Sequence, residues 1–162
     1  MTDAIPTSSL PPTASGLHPF DQSGIVRGAD GIARYQDLPR SIVAMLRASV
    51  ENAPGAEAIV EVGGERITYR ELWDRSARVA GGLRSLGIER GDRVAIRLPN
   101  GLDWCLAFFG IQLAGAIAVP VNTRFSESEV EYVVTDSLSK FVCTGGSPLP
   151  QGKSIAVDDH SP

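Results

Sequence analysis

Three short polar stretches, each following an apolar run, carry most of this sequence's capacity for ligand chemistry: Pro99-Asn100-Gly101, Asn122-Thr123-Arg124 and Thr144-Gly145-Gly146-Ser147. Arg124 offers the sharpest option, because a guanidinium fork matches a phosphate with paired hydrogen bonds. The ordinary reading of Thr123-Arg124 is a solvated loop, since an exposed Arg is the norm. Asn100, three residues before Asp103, suits a helix N-cap, and that role is expected ahead of ligand contact. Thr144-Gly145-Gly146-Ser147 sits where a phosphate loop would, yet it lacks the Lys and the apolar helix behind it that such a loop needs, so a turn is expected. Glu127, Glu129 and Glu131 lie on one helical segment and read as a solvated face rather than acid–base machinery. No Ser, His and Asp set has a nucleophile turn, and no His/Cys cluster has metal spacing. Cys105 and Cys143 lie inside apolar runs and read as small buried hydrophobes, while His18 and His160 sit in polar ends outside any motif. Residue chemistry alone therefore gives an α/β fold with an incomplete site.

These stretches must be positioned by the segment from Gly91 to Asn122, GDRVAIRLPNGLDWCLAFFGIQLAGAIAVPVN. Arg93 to Leu98 is a short apolar run between Gly91-Asp92 and Pro99-Asn100, a buried strand. Leu102 to Leu113 is apolar all round, so a helix there needs cover on more than one side. Ala118 to Val121 supplies a second strand, and strand, helix, strand with short connections implies a parallel pair with a right-handed crossover. Strand C-termini of open parallel sheets face the ligand crevice, which makes the three polar stretches its candidate mouth.

Ahead of this unit, Ile42, Val43, Leu46 and Val50 fall at helical spacing, and two strand-like runs around Gly63-Gly64 read as a β-hairpin. Thr68-Tyr69-Arg70-Glu71 has capping-box spacing and opens a helix with Leu72, Val79, Leu83 and Leu86 on one face. Gly87 and Ile88 are placed to close that helix in a Schellman arrangement against Leu83. Gly81-Gly82 within it costs roughly 1 kcal/mol per Gly against Ala, which points to close approach of another backbone there. Beyond Asn122, Ser126 to Glu129 is a second capping box, opening a helix with Val130, Val133 and Val134 inward. Lys140 to Cys143 forms a third parallel strand, and Ile155-Ala156-Val157 is a faint further run.

The composition, 43% hydrophobic and 21% charged over 162 residues, is that of one ordinary globular domain. Residues 1–24 read as a disordered tail rich in Pro, Ser and Thr, 25–145 as the folded part, and 146–162 as a loop-like tail. A net charge of -4 with no block of like charge leaves no electrostatic footprint for nucleic acid, so no nucleic-acid partner is expected. Asp103, Gln112 and glycines break the longest apolar stretch, so no transmembrane segment is expected. The N-terminus lacks a basic region and an apolar core of a secretory signal, so a cytoplasmic location is expected.

Four segments together resemble the opening of the AMP-forming adenylating enzymes, and within them the acyl-CoA synthetases: Ile67-Thr68-Tyr69-Arg70-Glu71-Leu72, Gly91 to Ile96, Leu113 to Asn122, and Glu131 to Ser137. They stand in the right order at unbroken spacing over about residues 38 to 145, which makes the resemblance specific. It implies a partial N-terminal subdomain with a βαβαβ parallel sheet, preceded by a helix and a β-hairpin. It also implies an enzyme that uses ATP, Mg²⁺ and CoA to activate a carboxylic acid substrate, a fatty or other acyl acid, and pass it to the CoA thiol. Such chemistry needs a Ser/Thr/Gly-rich loop ending in Pro-Lys-Gly, a Tyr-Gly-x-Thr-Glu-like segment, an Asp for the ribose and a Lys on a mobile C-terminal domain. None of these is in the 162 residues. A fragment from a truncated or split reading frame, inactive alone, is therefore expected, with no catalytic residue of its own and none of ATP, Mg²⁺ or CoA bound productively by it alone. By resemblance, Asn122, Thr123 and Arg124 form a loop near the CoA nucleotide. The alternative is a non-catalytic α/β module that pairs with a partner, such as the missing remainder of the ligase. A flavodoxin-like nucleotide binder is weaker, because Pro99-Asn100-Gly101-Leu102 supplies no phosphate loop after the first parallel strand. If half the cover of the Leu102 to Leu113 helix were absent, several large side chains would face water, each forgoing roughly 1.5–3 kcal/mol, and aggregation would be expected.

Overall fold

A computed structural model describes residues 24–145 and the strand at 154–156. The tail expected over 1–24, Gly24 apart, lies outside the described residues, as do Gly146 and Ser147. The chain divides into two units, Met1–Leu38 and Pro39–Pro162.

The first unit contains an element that the sequence patterning did not suggest, an antiparallel hairpin of β1 (Ile25–Arg27) and β2 (Ala33–Tyr35). Gly31 takes the left-handed turn position at φ 74, and Asp30 pairs with Arg34 at 2.6 Å. With strands of only three residues, too little alternation exists for a period of two to register.

The second unit opens with α1 (Ile42–Asn52), whose N-terminus is capped by Ser41. The expected hairpin follows as β3 (Glu57–Val60) and β4 (Arg66–Thr68), paired antiparallel. Thr68 then caps α2 (Tyr69–Ser85) in a complete capping box with Glu71. The Schellman closure also forms: Gly87 has φ 88, Gly87 N–H reaches the Arg84 carbonyl, and Ile88 N–H reaches that of Leu83. Leu86, expected on the inner face, is exposed, because the inner stripe runs instead through Leu72, Ser76, Ala80 and Leu83.

The βαβαβ unit is β5 (Arg93–Arg97), α3 (Leu102–Ala114), β6 (Ile117–Pro120), α4 (Glu127–Asp136) and β7 (Ser139–Thr144). The faint downstream run emerges as β8 (Ser154–Ala156), and the parallel sheet has the order β6-β5-β7-β8. With β5 flanked on both sides, Val94, Ala95 and Ile96 are fully buried. Its period of two assigns the faces. Val94, Ile96 and Leu98 join Ala80 and Leu83 of α2 and Ala107 and Ile111 of α3 in one core. Ala95 joins Val121, Val130 and Val142 on the α4 face. A third cluster sets Leu46 and Val50 of α1 with Ile67, Leu72, Leu102 and Leu106.

The cover expected around α3 is therefore present, from the sheet, α2, and α1 with the hairpin. Trp104 and Phe108 stack with centroids 5.3 Å apart, and none of the large apolar residues of α3 is exposed. Trp104, Phe108, Phe109 and Leu113 are half-buried rather than exposed, so this helix is largely but not wholly covered. The close backbone approach expected at Gly81-Gly82 is not found, since a Cβ at either would meet nothing within 4 Å. It lies at Gly110, where a Cβ would sit 2.5 Å from Val79 Cγ1 and 3.2 Å from the Ser76 carbonyl oxygen.

Three carboxyls give the fold an acid-sensitive edge. The Thr68 backbone N–H, then its hydroxyl, holds the Glu71 carboxyl below its ordinary value, and the Ser126 hydroxyl, then its N–H, does the same for Glu129. Lys140, then the Glu89 N–H, lowers that of Asp92. Each folded value lies below the unfolded one, so the unfolded chain binds more protons and stability falls as pH drops from the ordinary values of 4.5 and 3.8 through the folded ones. Melting temperatures should stay flat at neutral pH and fall in that acid window. The Glu71→Gln/Glu129→Gln double variant should melt lower at neutral pH and show a shallower acid decline; an unchanged slope would refute the assignment.

Candidate functional site at the strand C-termini

Because β5, β6 and β7 are parallel and in register, with Ile96 opposite Pro120 and Arg97 opposite Thr144, their C-terminal ends share one edge. The three polar stretches leave the sheet there, as far as Gly145 in the last of them. Asn122, Thr123 and Arg124 are all exposed. Asn122 Oδ1 accepts from Arg124 N–H at 2.9 Å, and its carbonyl accepts from Phe125 N–H at 3.1 Å, so the segment is a tight turn. Among the described residues, the Arg124 guanidinium makes no hydrogen bond or ion pair, which leaves a cation open to solvent at the mouth. Thr144 is buried at the end of β7 and Gly145 forms a bend next to it.

Two residues that sequence reasoning passed over shape this mouth. The first is Glu61, in the β3–β4 turn. α3 begins after Gly101 with no side-chain cap of its own, and Leu102 N–H donates instead to Glu61 Oε1 at 2.6 Å. Asn100, expected to cap this helix, is exposed and lies one residue too early, because Gly101 occupies the N-cap position. Glycines leave room for the carboxylate: a Cβ at Gly101 would be 2.6 Å from Glu61 Oε1, and one at Gly64 would be 2.9 Å from Glu61 Cβ. An open cleft of ≈ 460 Å³ lies between the hairpin turn and this helix start, lined by Val60 to Gly64 with Asn100 and Gly101.

The second is Arg97, the last residue of β5. Its Nη1 donates to Glu127 Oε1 and its Nη2 to the Phe125 carbonyl, each at 3.0 Å, with the side chain only 18% exposed. Arg93, four residues earlier on the same face, mirrors it: Nε donates to the Ser137 carbonyl at 2.9 Å. One strand thus grips α4 beyond both ends. Arg93 also steadies the turn in which Leu138, at φ 54, takes a left-handed position usual for glycine.

The remaining candidates behave as inert groups. Burial pushes the Cys143 thiol up to about 12, and burial with the nearby Glu61 raises that of Cys105, so neither is a thiolate at neutral pH. Glu129 is engaged in its capping box and Glu127 by Arg97. Among the described residues no group of three or more His, Cys, Asp or Glu is placed to hold a metal ion, and no helix is long and apolar enough to cross a membrane.

Comparisons with known proteins agree with this architecture. The family described as AMP-binding enzyme matches residues 46–161. A long-chain-fatty-acid–CoA ligase of Mycobacterium tuberculosis is 39% identical over 119 residues, covering 73% of this chain and 24% of that protein. One from Escherichia coli is 41% identical over 105 residues, covering 64% and 18%. The solved structure of a Mycobacterium tuberculosis fatty acyl CoA synthetase superposes with a TM-score of 0.60 at 41% identity, over 63% of this chain and 20% of that one. The chain thus spans a quarter or less of the length of these relatives. A match through most of the parallel-sheet unit, in sequence and in fold together, places this chain in the AMP-binding enzyme family.

Proposed function

We propose that this stretch serves an ATP-dependent, AMP-forming acid–CoA ligase, acting on a fatty or other acyl acid, as the opening part of its N-terminal domain. The observation that supports this reading is the 39% identity over 119 residues with a long-chain-fatty-acid–CoA ligase. In that chemistry a carboxylate oxygen attacks the α-phosphorus of ATP and pyrophosphate leaves; the CoA thiol then attacks the acyl carbon and AMP leaves. Mg²⁺, when bound, would neutralise charge on the ATP phosphates, and among the described residues no group of three or more His, Cys, Asp or Glu is placed to hold a metal ion. What they offer is scaffold and one ligand-facing turn, Asn122-Thr123-Arg124, whose open guanidinium suits the phosphates of the CoA nucleotide. The acid and the rest of the ligase are the partners of this stretch.

These 162 residues alone are expected to give no acid-dependent exchange of pyrophosphate into ATP. The positive test is a chimera in which residues 46–161 replace the matching segment of the Mycobacterium tuberculosis ligase. Acid-dependent exchange and CoA ester formation by the chimera would support the reading. A chimera that folds and binds ATP yet forms no adenylate would overturn it in favour of a non-catalytic partner module.

A further inference from the structure

We propose that Arg97 is the positioning residue of the Asn122–Arg124 turn, holding it so that the free Arg124 guanidinium is presented over the strand ends; the inference rests on the ligand-facing reading of that turn. Both ends of the turn are tied to adjacent residues of the buried central strand. Val121 N–H donates to the Ile96 carbonyl at 2.9 Å, and the Phe125 carbonyl accepts from Arg97 Nη2 at 3.0 Å. Val121 is buried and Phe125 half-buried in the core on the α4 face, so only Asn122, Thr123 and Arg124 project between the two anchors. Without the guanidinium, the Phe125 carbonyl and the Glu127 carboxylate would lose their shared donor, and the second anchor would rest on Phe125 packing and the capped start of α4. A fork is needed because two acceptors from different residues are held by two different nitrogens. The two arginines at the mouth thus divide the work. Arg97 is engaged and shielded, while Arg124 is exposed and unengaged among the described residues.

The test is hydrogen exchange of residues 121–126 in the 162-residue chain, beside titration of the chimera that carries residues 46–161 with CoA and with dephospho-CoA. Arg97→Gln should speed exchange of the turn about tenfold, as expected for a lost charge-assisted bond, with β5 and β7 still protected. Arg97→Lys, one nitrogen where two are needed, should restore only part of that protection. Arg124→Gln should leave exchange unchanged yet weaken CoA about tenfold. Arg97→Gln should weaken CoA to a similar degree and blunt the preference for CoA over dephospho-CoA. Turn exchange unchanged in Arg97→Gln, or full protection in Arg97→Lys, would overturn the positioning role. If Arg97→Gln unfolds the chain, Glu127→Gln and Arg97→Lys carry the same comparison. Should CoA perturb no amide of the turn in the chimera, the ligand-facing reading fails, while the exchange data still judge Arg97.

Discussion

Gly110→Val should lower the stability of the Pro39–Pro162 unit by about 3 kcal/mol, the upper end of what overpacking a well-filled interior costs. Even the smaller Gly110→Ala places a Cβ 2.5 Å and 2.6 Å from Val79 Cγ1 and Cβ. Because Cβ is fixed to the backbone of α2, no rotamer change relieves that contact, and the two helices must part. The expected net loss for alanine is about 1–2 kcal/mol, because its better helix propensity returns roughly 1 kcal/mol. Either loss is large against a net stability of about 5–15 kcal/mol. Urea unfolding of Gly110→Ala, Val79→Gly and the double variant checks the cause. Val79→Gly removes both clashing carbons and should offset much of the Gly110→Ala loss, giving a coupling free energy of about 1 kcal/mol or more, whereas strictly additive effects would refute the contact.

Glu61→Ala is expected to be comparably damaging, by about 2–3 kcal/mol. It removes a charge-assisted hydrogen bond worth roughly 1.5–3 kcal/mol and leaves the first N–H of α3 without an acceptor. It also removes a negative charge from the positive end of a helix, worth about 0.3–1 kcal/mol. Glu61→Gln keeps an acceptor of nearly the same reach and should cost less than half as much. Equal losses for the two variants would mean that charge, not the hydrogen bond, carries the effect. Gly101→Ala crowds the same carboxylate from the other side, so it should add little in a Glu61→Ala background. Hydrogen exchange in the first turn of α3 would localise the damage in all three.

Local devices were legible in the sequence. Thr68 with Glu71 and Ser126 with Glu129 form the capping boxes that their spacing required, and Gly87 with Ile88 closes α2 as expected. These motifs involve residues a few positions apart, so the partners are visible side by side. The strands of the parallel unit were legible for a related reason: apolar runs buried on both faces need no knowledge of what covers them. The order β6-β5-β7 adds what the runs could not show, that the first strand is the central one.

The candidate site was legible only as a place. Resemblance and the strand-end rule both led to Asn122, Thr123 and Arg124, and the structure shows a tight exposed turn there with a guanidinium unengaged among the described residues. Neither could reveal that Arg97 ties that turn down, because along the sequence Arg97 is one charge at the end of an apolar run. Its face is set by the period of the strand, and its partners lie about 30 residues downstream.

By itself, the sequence determined the elements from α1 to β7, the caps of α2 and α4, the parallel unit and the family, since all of these follow from short-range patterning or from ordered segments read together. Tertiary structure alone decided which glycine admits a neighbouring helix, which carboxylate caps α3 and which arginine is free. Gly81-Gly82 and Asn100 were the local choices, and Gly110 and Glu61 proved to be the real ones. The reason is physical. A cap or a close contact is satisfied by whichever group the fold brings within about 3 Å, and a chain that crosses from hairpin to helix to sheet brings together groups that no spacing rule connects.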